Sequence, residues 1–211
     1  MDIVRVPYSQ NKQRSWLMIT TTLPGSPLFI NGKGHRLLHA SETHVDHIKV
    51  VLADWVNQLR ALRSPYGKRV SGFLGGPFLS YRIGYSFTGP YDTTAHFHSQ
   101  PFCTVYPPQL AVASTHALRL IEDRPNKVYE IRLTHGDLLL HNILADDDFR
   151  PTGLIDWECA GWMPEYWETA SSSRNQFGRM WCWKDILHDA FPKYEDDLTL
   201  EYHIQMGYDS N

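Results

Sequence analysis

The sequence predicts a mainly helical α+β fold in which the strands are few and short. The apolar, β-branched run Leu17–Thr22 is typical of a strand. Residues 45–62 carry an apolar stripe at helical spacing, which indicates a long amphipathic helix. Two short apolar runs, residues 143–145 and 152–155, flank Asp146-Asp-Asp148 and predict a hairpin. Together these patterns place strands at the N-terminus and at one central hairpin, with helices around them.

The other elements follow in chain order. Ile3–Val6 and Ser15–Thr22 are predicted strands joined by a polar turn. Thr43-x-x-Asp46 is interpreted as the capping box of the long helix. We expect short strands in the Gly-, Pro- and Tyr-rich residues 64–92, helices over 93–103 and 108–122, a strand over 128–133, and mostly helix from about residue 164.

Composition excludes several classes of protein. A chain of 211 residues with 42% hydrophobic and 20% charged residues is typical of a folded globule. A net charge of −3 argues against nucleic acid or an anionic membrane as the main partner. Cys103, Cys159 and Cys182 form no CxxC pair, which indicates reduced thiols. No apolar run reaches the roughly 18–20 residues of a membrane span, and no signal-peptide core is seen, so we expect a cytoplasmic protein.

Chemistry is indicated by one motif. His135-Gly-Asp-Leu-Leu-Leu-His-Asn142 fits the pattern His-x-Asp-Leu-x-x-x-Asn of kinase catalytic loops. Asp137 lies five residues before Asn142, and a second aspartate, Asp156, follows the predicted hairpin. Phosphoryl transfer on a kinase scaffold uses a carboxylate beside the acceptor hydroxyl, with an amide oxygen and a second carboxylate on Mg²⁺.

Further strings carry a resemblance to the aminoglycoside-phosphotransferase-like family, and most closely to its fungal branch. They are Leu62-Arg-Ser-Pro65, Gly72-Phe-Leu-Gly-Gly-Pro77, Tyr81-Arg82, Gly89-Pro-Tyr91, Gly153-Leu-Ile-Asp-Trp-Glu158, Ala160-Gly161 and Pro164-Glu-Tyr-Trp-Glu168. The resemblance implies a protein-kinase-like C-lobe over residues 31–211. Residues 1–30 would be a two-stranded N-lobe remnant and linker, with most of the N-lobe missing.

The resemblance also implies roles for single residues. Asp137 resembles the family's catalytic aspartate, and Asn142 and Asp156 resemble its magnesium ligands. His135 resembles the buried histidine that braces the catalytic loop. Leu139-Leu-His141 departs from the family, because it is more apolar than the usual stretch.

The groups that would bind the ATP phosphates are not found in this sequence. A kinase-like enzyme covers the ATP phosphates with a Gly-rich loop and holds them with a lysine. Lys12 is the only lysine before the Leu17–Thr22 strand, and it lies in the predicted turn. Gly72–Gly76 is no substitute, because no Lys-Ser/Thr follows it.

Other polar and aromatic residues have ordinary interpretations. Core packing is preferred for Trp157, Trp162, Tyr166 and Trp167, with an aromatic wall beside the site as the alternative. Helix-end and salt-bridge roles are preferred for Glu158, Glu165 and Glu168. The His44/His47 and His96/His98 pairs are interpreted as surface residues rather than metal ligands, and Asp146–Asp148 as a turn rather than a calcium loop.

These patterns leave three hypotheses. The leading one is an enzyme of secondary metabolism that modifies a natural-product-like small molecule without ATP. Asp137 and Asp156 would act as acid and base in an isomerisation, cyclisation or elimination, with His135, Asn142, Trp157 and Glu158 in support. The alternative is a phosphotransferase that uses Mg²⁺ and ATP, with the metal on Asn142 and Asp156. The third is a non-catalytic pseudoenzyme or binding module.

The predicted N-terminal strands suggest a partner chain. A two-stranded sheet presents an unpaired edge, which proteins usually cover. We therefore expect a homodimer that pairs through the edge of Leu17–Thr22.

Overall fold

The computed structural model describes residues 2–6, 15–19, 21–30, 34–105, 113–173 and 181–208. The predicted α+β class is confirmed, with short strands and longer helices. The described strands are β1 (Asp2–Val6), β2 (Ser15–Ile19), β3 (Ser26–Pro27), β4 (Phe29–Ile30), β5 (Gly34–His35), β6 (Ser71–Gly72), β7 (Phe78–Ser80), β8 (Gly84–Thr88), β9 (Ile131–Thr134), β10 (Ile143–Ala145), β11 (Pro151–Leu154) and β12 (Gly161–Pro164). The described α-helices are α1 (Glu42–Ala61), α2 (Thr94–His98), α3 (Thr115–Asp123), α4 (Trp167–Ser172), α5 (Trp181–Ala190) and α6 (Glu195–Tyr208).

The N-terminal strands pair with each other. β1 and β2 are antiparallel, with Asp2 opposite Ile19 and Val6 opposite Ser15, so the two predicted strands are confirmed. The polar turn predicted between them lies outside the described residues. The domain boundary near residue 30 and the homodimer through this edge stay predictions.

The segment after β2 attaches to the central hairpin. β3 pairs with β10, and the Leu28 N–H donates to the Ile143 carbonyl at 2.9 Å. The Arg36 guanidinium adds bonds to the carbonyls of Ser26 and Ala145, both at 2.9 Å. Residues 26–28 and Arg36 are therefore fixed to the hairpin that follows the catalytic motif.

α1 buries one side of the predicted stripe. Ile48, Leu52 and Val56 recur every four residues and are at most 2% exposed. The predicted capping box is wrong, because Ser41 caps the helix: its hydroxyl accepts the His44 N–H at 3.3 Å, and the His44 Nδ1 accepts the Ser41 N–H. A serine hydroxyl two residues earlier suits the N-cap equally well, and the Thr43 hydroxyl bonds to it.

A second small sheet, β6-β12-β9, flanks the catalytic motif. β12 pairs with β9, with Gly161 opposite Thr134 and Trp162 opposite Leu133. Its four residues are all buried, so it lacks the polar alternation by which a strand is found in sequence. The β10–β11 hairpin is confirmed, with Ile143 opposite Leu154. Residues 135–142 therefore run between two anchored strands.

None of the helices in the described ranges is long and apolar enough to cross a bilayer.

Candidate active site

The catalytic loop, residues 135–142, joins β9 to β10 and is held in the core. Leu138, Leu139 and Leu140 are at most 4% exposed, so the apolar departure from the family pattern serves as an anchor. Gly136 has a φ of +82°, and a Cβ there would lie 2.4 Å from the Cys159 carbonyl oxygen. Only glycine fits this position without a shift of backbone.

Asp137 and Asn142 are brought into direct contact. Asp137 is 6% exposed and Asn142 is 2% exposed. The Asn142 Nδ2 donates to the Asp137 carbonyl and to its Oδ2, both at 2.9 Å. His141 adds a longer contact, with its Nε2 3.7 Å from the same Oδ2. These bonds fix one carboxylate oxygen of Asp137 and leave the other as an acceptor.

His135 links the catalytic loop to the segment that carries the second aspartate. Its ring is buried, its Nδ1 accepts the Asp137 N–H at 3.3 Å, and its Nε2 lies 2.9 Å from the Ile155 carbonyl. These contacts require a neutral imidazole with the proton on Nε2. The Ile155 N–H donates to the Asn142 carbonyl, which ties the same two segments again. His135 therefore has the contacts expected of a histidine that braces the catalytic loop.

Asp156 is exposed and has a left-handed backbone conformation, with φ 66° and ψ 67°. Partial burial raises its pKa, and the nearby carboxylates of Glu158 and Asp137 raise it further. A crowded carboxylate of this kind favours either a proton or a cation. The structure therefore places the two predicted aspartates within electrostatic reach of each other.

The donor set fits Mg²⁺ with few protein ligands. Because the Asn142 nitrogen donates to Asp137, its amide oxygen is the atom left to bind a cation, and the Asp156 carboxylate would be the second donor. Both are hard oxygen donors, and Mg²⁺ commonly takes one or two protein ligands with water and substrate phosphates. Within the described ranges, no three His, Cys, Asp or Glu side chains are grouped to hold a metal without such help.

Glu168 is a site residue that sequence analysis missed. It lies in α4, is 1% exposed, and accepts the His135 N–H at 2.5 Å and the Gly136 N–H at 3.1 Å. Burial raises its pKa, and the two N–H donors offset part of that rise. The predicted helix-end position is confirmed, since Glu168 lies in the first turn of α4, but its carboxylate binds the backbone of the catalytic loop rather than a basic side chain. An acidic residue inside the apolar run Tyr166–Ala170 was the available signal.

Its two acidic neighbours differ from it. Glu165 accepts Lys193 at 2.7 Å, which confirms a salt bridge. Glu158 is exposed and accepts the Tyr81 hydroxyl, a contact that sequence analysis did not predict.

The aromatic residues after Asp156 divide into two groups. Trp162, Tyr166 and Trp167 are at most 6% exposed, so core packing is confirmed for them. Trp157 is 40% exposed, its indole N–H donates to the Leu154 carbonyl, and its ring meets His135 edge-on at 4.7 Å between centroids. Of these four residues, only Trp157 has an exposed ring beside the catalytic loop.

His98 and Asp146 have structural roles. His98 lies 2.8 Å from the Tyr166 hydroxyl, and burial, with a contribution from Arg124, lowers its pKa to about 3. It is a partly buried, hydrogen-bonded residue rather than the predicted surface one. The Asp146 Oδ1 accepts the N–H groups of Asp148 and Arg150, which confirms the hairpin turn.

Comparisons with known proteins agree with the motif. Residues 101–194 match the model of the phosphotransferase enzyme family. The crystal structure of aminoglycoside phosphotransferase APH(4)-Ia is similar at 19% identity and a TM-score of 0.52, over 90% of this chain. Its thermostable mutant is similar in the apo form, at 18% identity and a TM-score of 0.52, and in a ternary complex with ADP and hygromycin B, at 17% and 0.51; both matches cover 90% of this chain.

This chain spans 64% of the length of each of these three structures. A comparison with curated protein sequences gives no match. These structures confirm the predicted kinase-like fold, and residues 101–194, which contain the catalytic motif, are similar to the phosphotransferase enzyme family.

Proposed function

We propose that this chain is a phosphotransferase that acts on a hydroxyl group of a small molecule and uses a magnesium nucleotide as donor. The observation that carries the proposal is the hydrogen-bonded pair of Asp137 and Asn142, with Asp156 in electrostatic reach. These three groups have the chemistry that phosphoryl transfer needs on a kinase scaffold.

Asp137 acts on the acceptor in this proposal. Asn142 binds its Oδ2, so its Oδ1 is the oxygen that accepts the hydrogen bond of the substrate hydroxyl. As the acceptor oxygen bonds to the terminal phosphorus and the bond to the leaving nucleotide breaks, the hydroxyl proton passes to Asp137. His135 and Glu168 keep the loop fixed through this step, because both bind its backbone.

Asn142 and Asp156 are the residues that would hold Mg²⁺. The bound metal would neutralise the charge of the phosphates. Because the raised pKa of Asp156 favours its protonated form, proton and cation compete for this carboxylate.

ATP-independent acid–base chemistry is the second candidate. Sequence analysis prefers this candidate because these 211 residues contain no Gly-rich phosphate loop with its phosphate-binding lysine. The contacts described within the site do not test that preference. The observation in its favour is the raised pKa of Asp156 next to Asp137, since one protonated and one ionised carboxylate form an acid–base pair. The substrate would be a natural-product-like compound of secondary metabolism. A cytoplasmic location is proposed for either candidate.

The test is transfer of label from γ-³²P-ATP to a panel of small hydroxyl compounds in the presence of Mg²⁺. We expect labelled product with the wild-type chain and a loss of roughly 10²- to 10⁴-fold in Asp137→Asn. Consumption of a compound without nucleotide, abolished by the same substitution, would support the second candidate. Binding of a compound without any turnover would contradict both and favour a binding module.

A further inference from the structure

Three exposed or partly exposed aromatic side chains lie on or near the segment that follows Asp156. Tyr81 lies in the turn between β7 and β8, and Tyr85 on β8 is 81% exposed. Their rings are 5.5 Å apart between centroids and inclined by 55°. Trp157 adds a third partly exposed ring. We refer to Tyr81, Tyr85 and Trp157 as the aromatic rim.

The aromatic rim is attached to the candidate active site by direct contacts. The Tyr81 hydroxyl donates to Glu158, two residues after Asp156. That bond raises the pKa of Tyr81, and the charge of Asp156 contributes to the same shift. Trp157 lies between these two acidic residues in sequence and packs against His135 of the catalytic loop. Direct contacts therefore link the aromatic rim to residues 156–158 and to the catalytic loop.

Two of the three polar groups of the aromatic rim are already occupied. Tyr81 donates its hydroxyl to Glu158, and Trp157 donates its indole N–H to the Leu154 carbonyl. What these two residues offer a ligand is the face of the ring, and aromatic faces bind other flat rings by offset or edge-on packing. Single exposed aromatics are common on protein surfaces, but here Tyr81 and Tyr85 pack on each other, and Tyr81 is bonded to the residue next to Trp157.

We infer that the aromatic rim binds a flat aromatic ring of the acceptor substrate, and so selects aromatic hydroxyl compounds over aliphatic ones of similar size. The inference rests on the proposed function, because it takes Asp137 as the group that meets the substrate hydroxyl. Its occupant is a small molecule, because the aromatic rim is bonded to the segment that carries Asp156, one of the proposed catalytic groups.

The experiment compares two probes that share a sugar and differ in the flatness of the attached ring: 2-naphthyl β-glucoside and cyclohexyl β-glucoside. Their dissociation constants are measured by calorimetry for wild type and Tyr85→Ala. Tyr202→Ala is the matched control, because Tyr202 is an exposed tyrosine, 51% exposed, on α6. Tyr85 is so exposed that its removal leaves the core unchanged.

We expect the naphthyl probe to bind more tightly than the cyclohexyl probe to the wild-type chain. Tyr85→Ala should weaken naphthyl binding by roughly 2- to 10-fold, the usual range for one aromatic pair, and leave cyclohexyl binding unchanged. Tyr202→Ala should change neither. Equal affinities of the two probes, an unchanged naphthyl affinity in Tyr85→Ala, or no binding of either probe would each overturn the inference.

The same proteins separate this inference from the proposed function. Equal phosphorylation of both probes, insensitive to Tyr85→Ala, would retain phosphotransfer and remove the aromatic rim as a selector. Naphthyl binding that depends on Tyr85, without phosphorylation of any hydroxyl compound by Mg²⁺ and ATP, would retain the rim and remove phosphotransfer.

Discussion

The two aspartates of the candidate site lie in regions that are built in opposite ways. Asp137 is buried in the catalytic loop, where Asn142 and His135 bond to it. Glu168 binds the backbone of the loop from outside. Residues 156–158 are exposed, and Asp156 has a left-handed backbone. The loop takes its geometry from the core, whereas the protonation of Asp156 depends on its partial burial and on the neighbouring carboxylates. Changes that break the bonds of the loop should therefore disturb folding as well as chemistry, and changes at 156–158 should act on ligands alone.

The largest effect is expected from Asp137→Asn. The new amide oxygen keeps an acceptor for Asn142 but cannot take the proton of a substrate hydroxyl. Turnover should fall by roughly 10²- to 10⁴-fold, with the melting temperature close to that of wild type. Steady-state kinetics and thermal unfolding provide the two measurements. Turnover within tenfold of wild type would rule out Asp137 as the base.

Glu168→Ala tests the attachment of the loop to the core. It leaves the N–H groups of His135 and Gly136 without their acceptor in a buried position. We expect the free energy of unfolding to fall by about 2–4 kcal/mol, measured by urea titration.

Glu165→Ala is the control for Glu168→Ala. The Glu165 carboxylate binds Lys193 and the Tyr194 hydroxyl at a partly exposed position, so we expect a smaller loss of about 1 kcal/mol. Equal losses in the two variants would show that Glu168 has no special role.

Asp156→Asn tests the exposed region. Asparagine tolerates a left-handed backbone and removes the repulsion from Glu158 and Asp137. The free energy of unfolding should stay within about 0.5 kcal/mol of wild type, while Mg²⁺-dependent turnover is lost. Unfolding titrations and a magnesium dependence of turnover check both parts. A large loss of stability would contradict the contrast between the two regions.

The smallest effect is a pH dependence. Because the pKa of Asp156 is raised, its proton stays bound at pH values where an ordinary aspartate is ionised. Magnesium affinity should therefore fall as the pH drops through this raised pKa. Stability should change in the other direction, decreasing slightly as the pH rises from the ordinary to the raised value. Calorimetric magnesium titrations across roughly pH 4–8 should show this fall in magnesium affinity at low pH in wild type and not in Asp156→Asn.

Local patterns allowed much of the site to be predicted. The five-residue spacing of Asp137 and Asn142 and the hairpin before Asp156 are short-range features, and the structure has both. The stripe of α1 was also evident, since burial at every fourth residue follows from helical geometry alone.

Long-range contacts were beyond the same reasoning. Glu168 meets His135 across 33 residues, and Tyr81 meets Glu158 across 77. The apolar residues around Glu168 indicate that it is buried, but local spacing identifies neither its partner nor that of Tyr81. The pairing of β3 with β10 is likewise formed between distant segments, so a stretch interpreted as a linker is part of a sheet.

The central claim is that Asn142 and Asp156 form a magnesium-nucleotide site beside Asp137. The most direct measurement is the dissociation constant of ATP by calorimetry, with and without Mg²⁺, in wild type, Asp156→Asn and the distant control Asp148→Asn. We predict binding that requires Mg²⁺ in wild type and Asp148→Asn and is lost in Asp156→Asn. Absence of nucleotide binding in wild type, or equal binding in all three proteins, would contradict the claim.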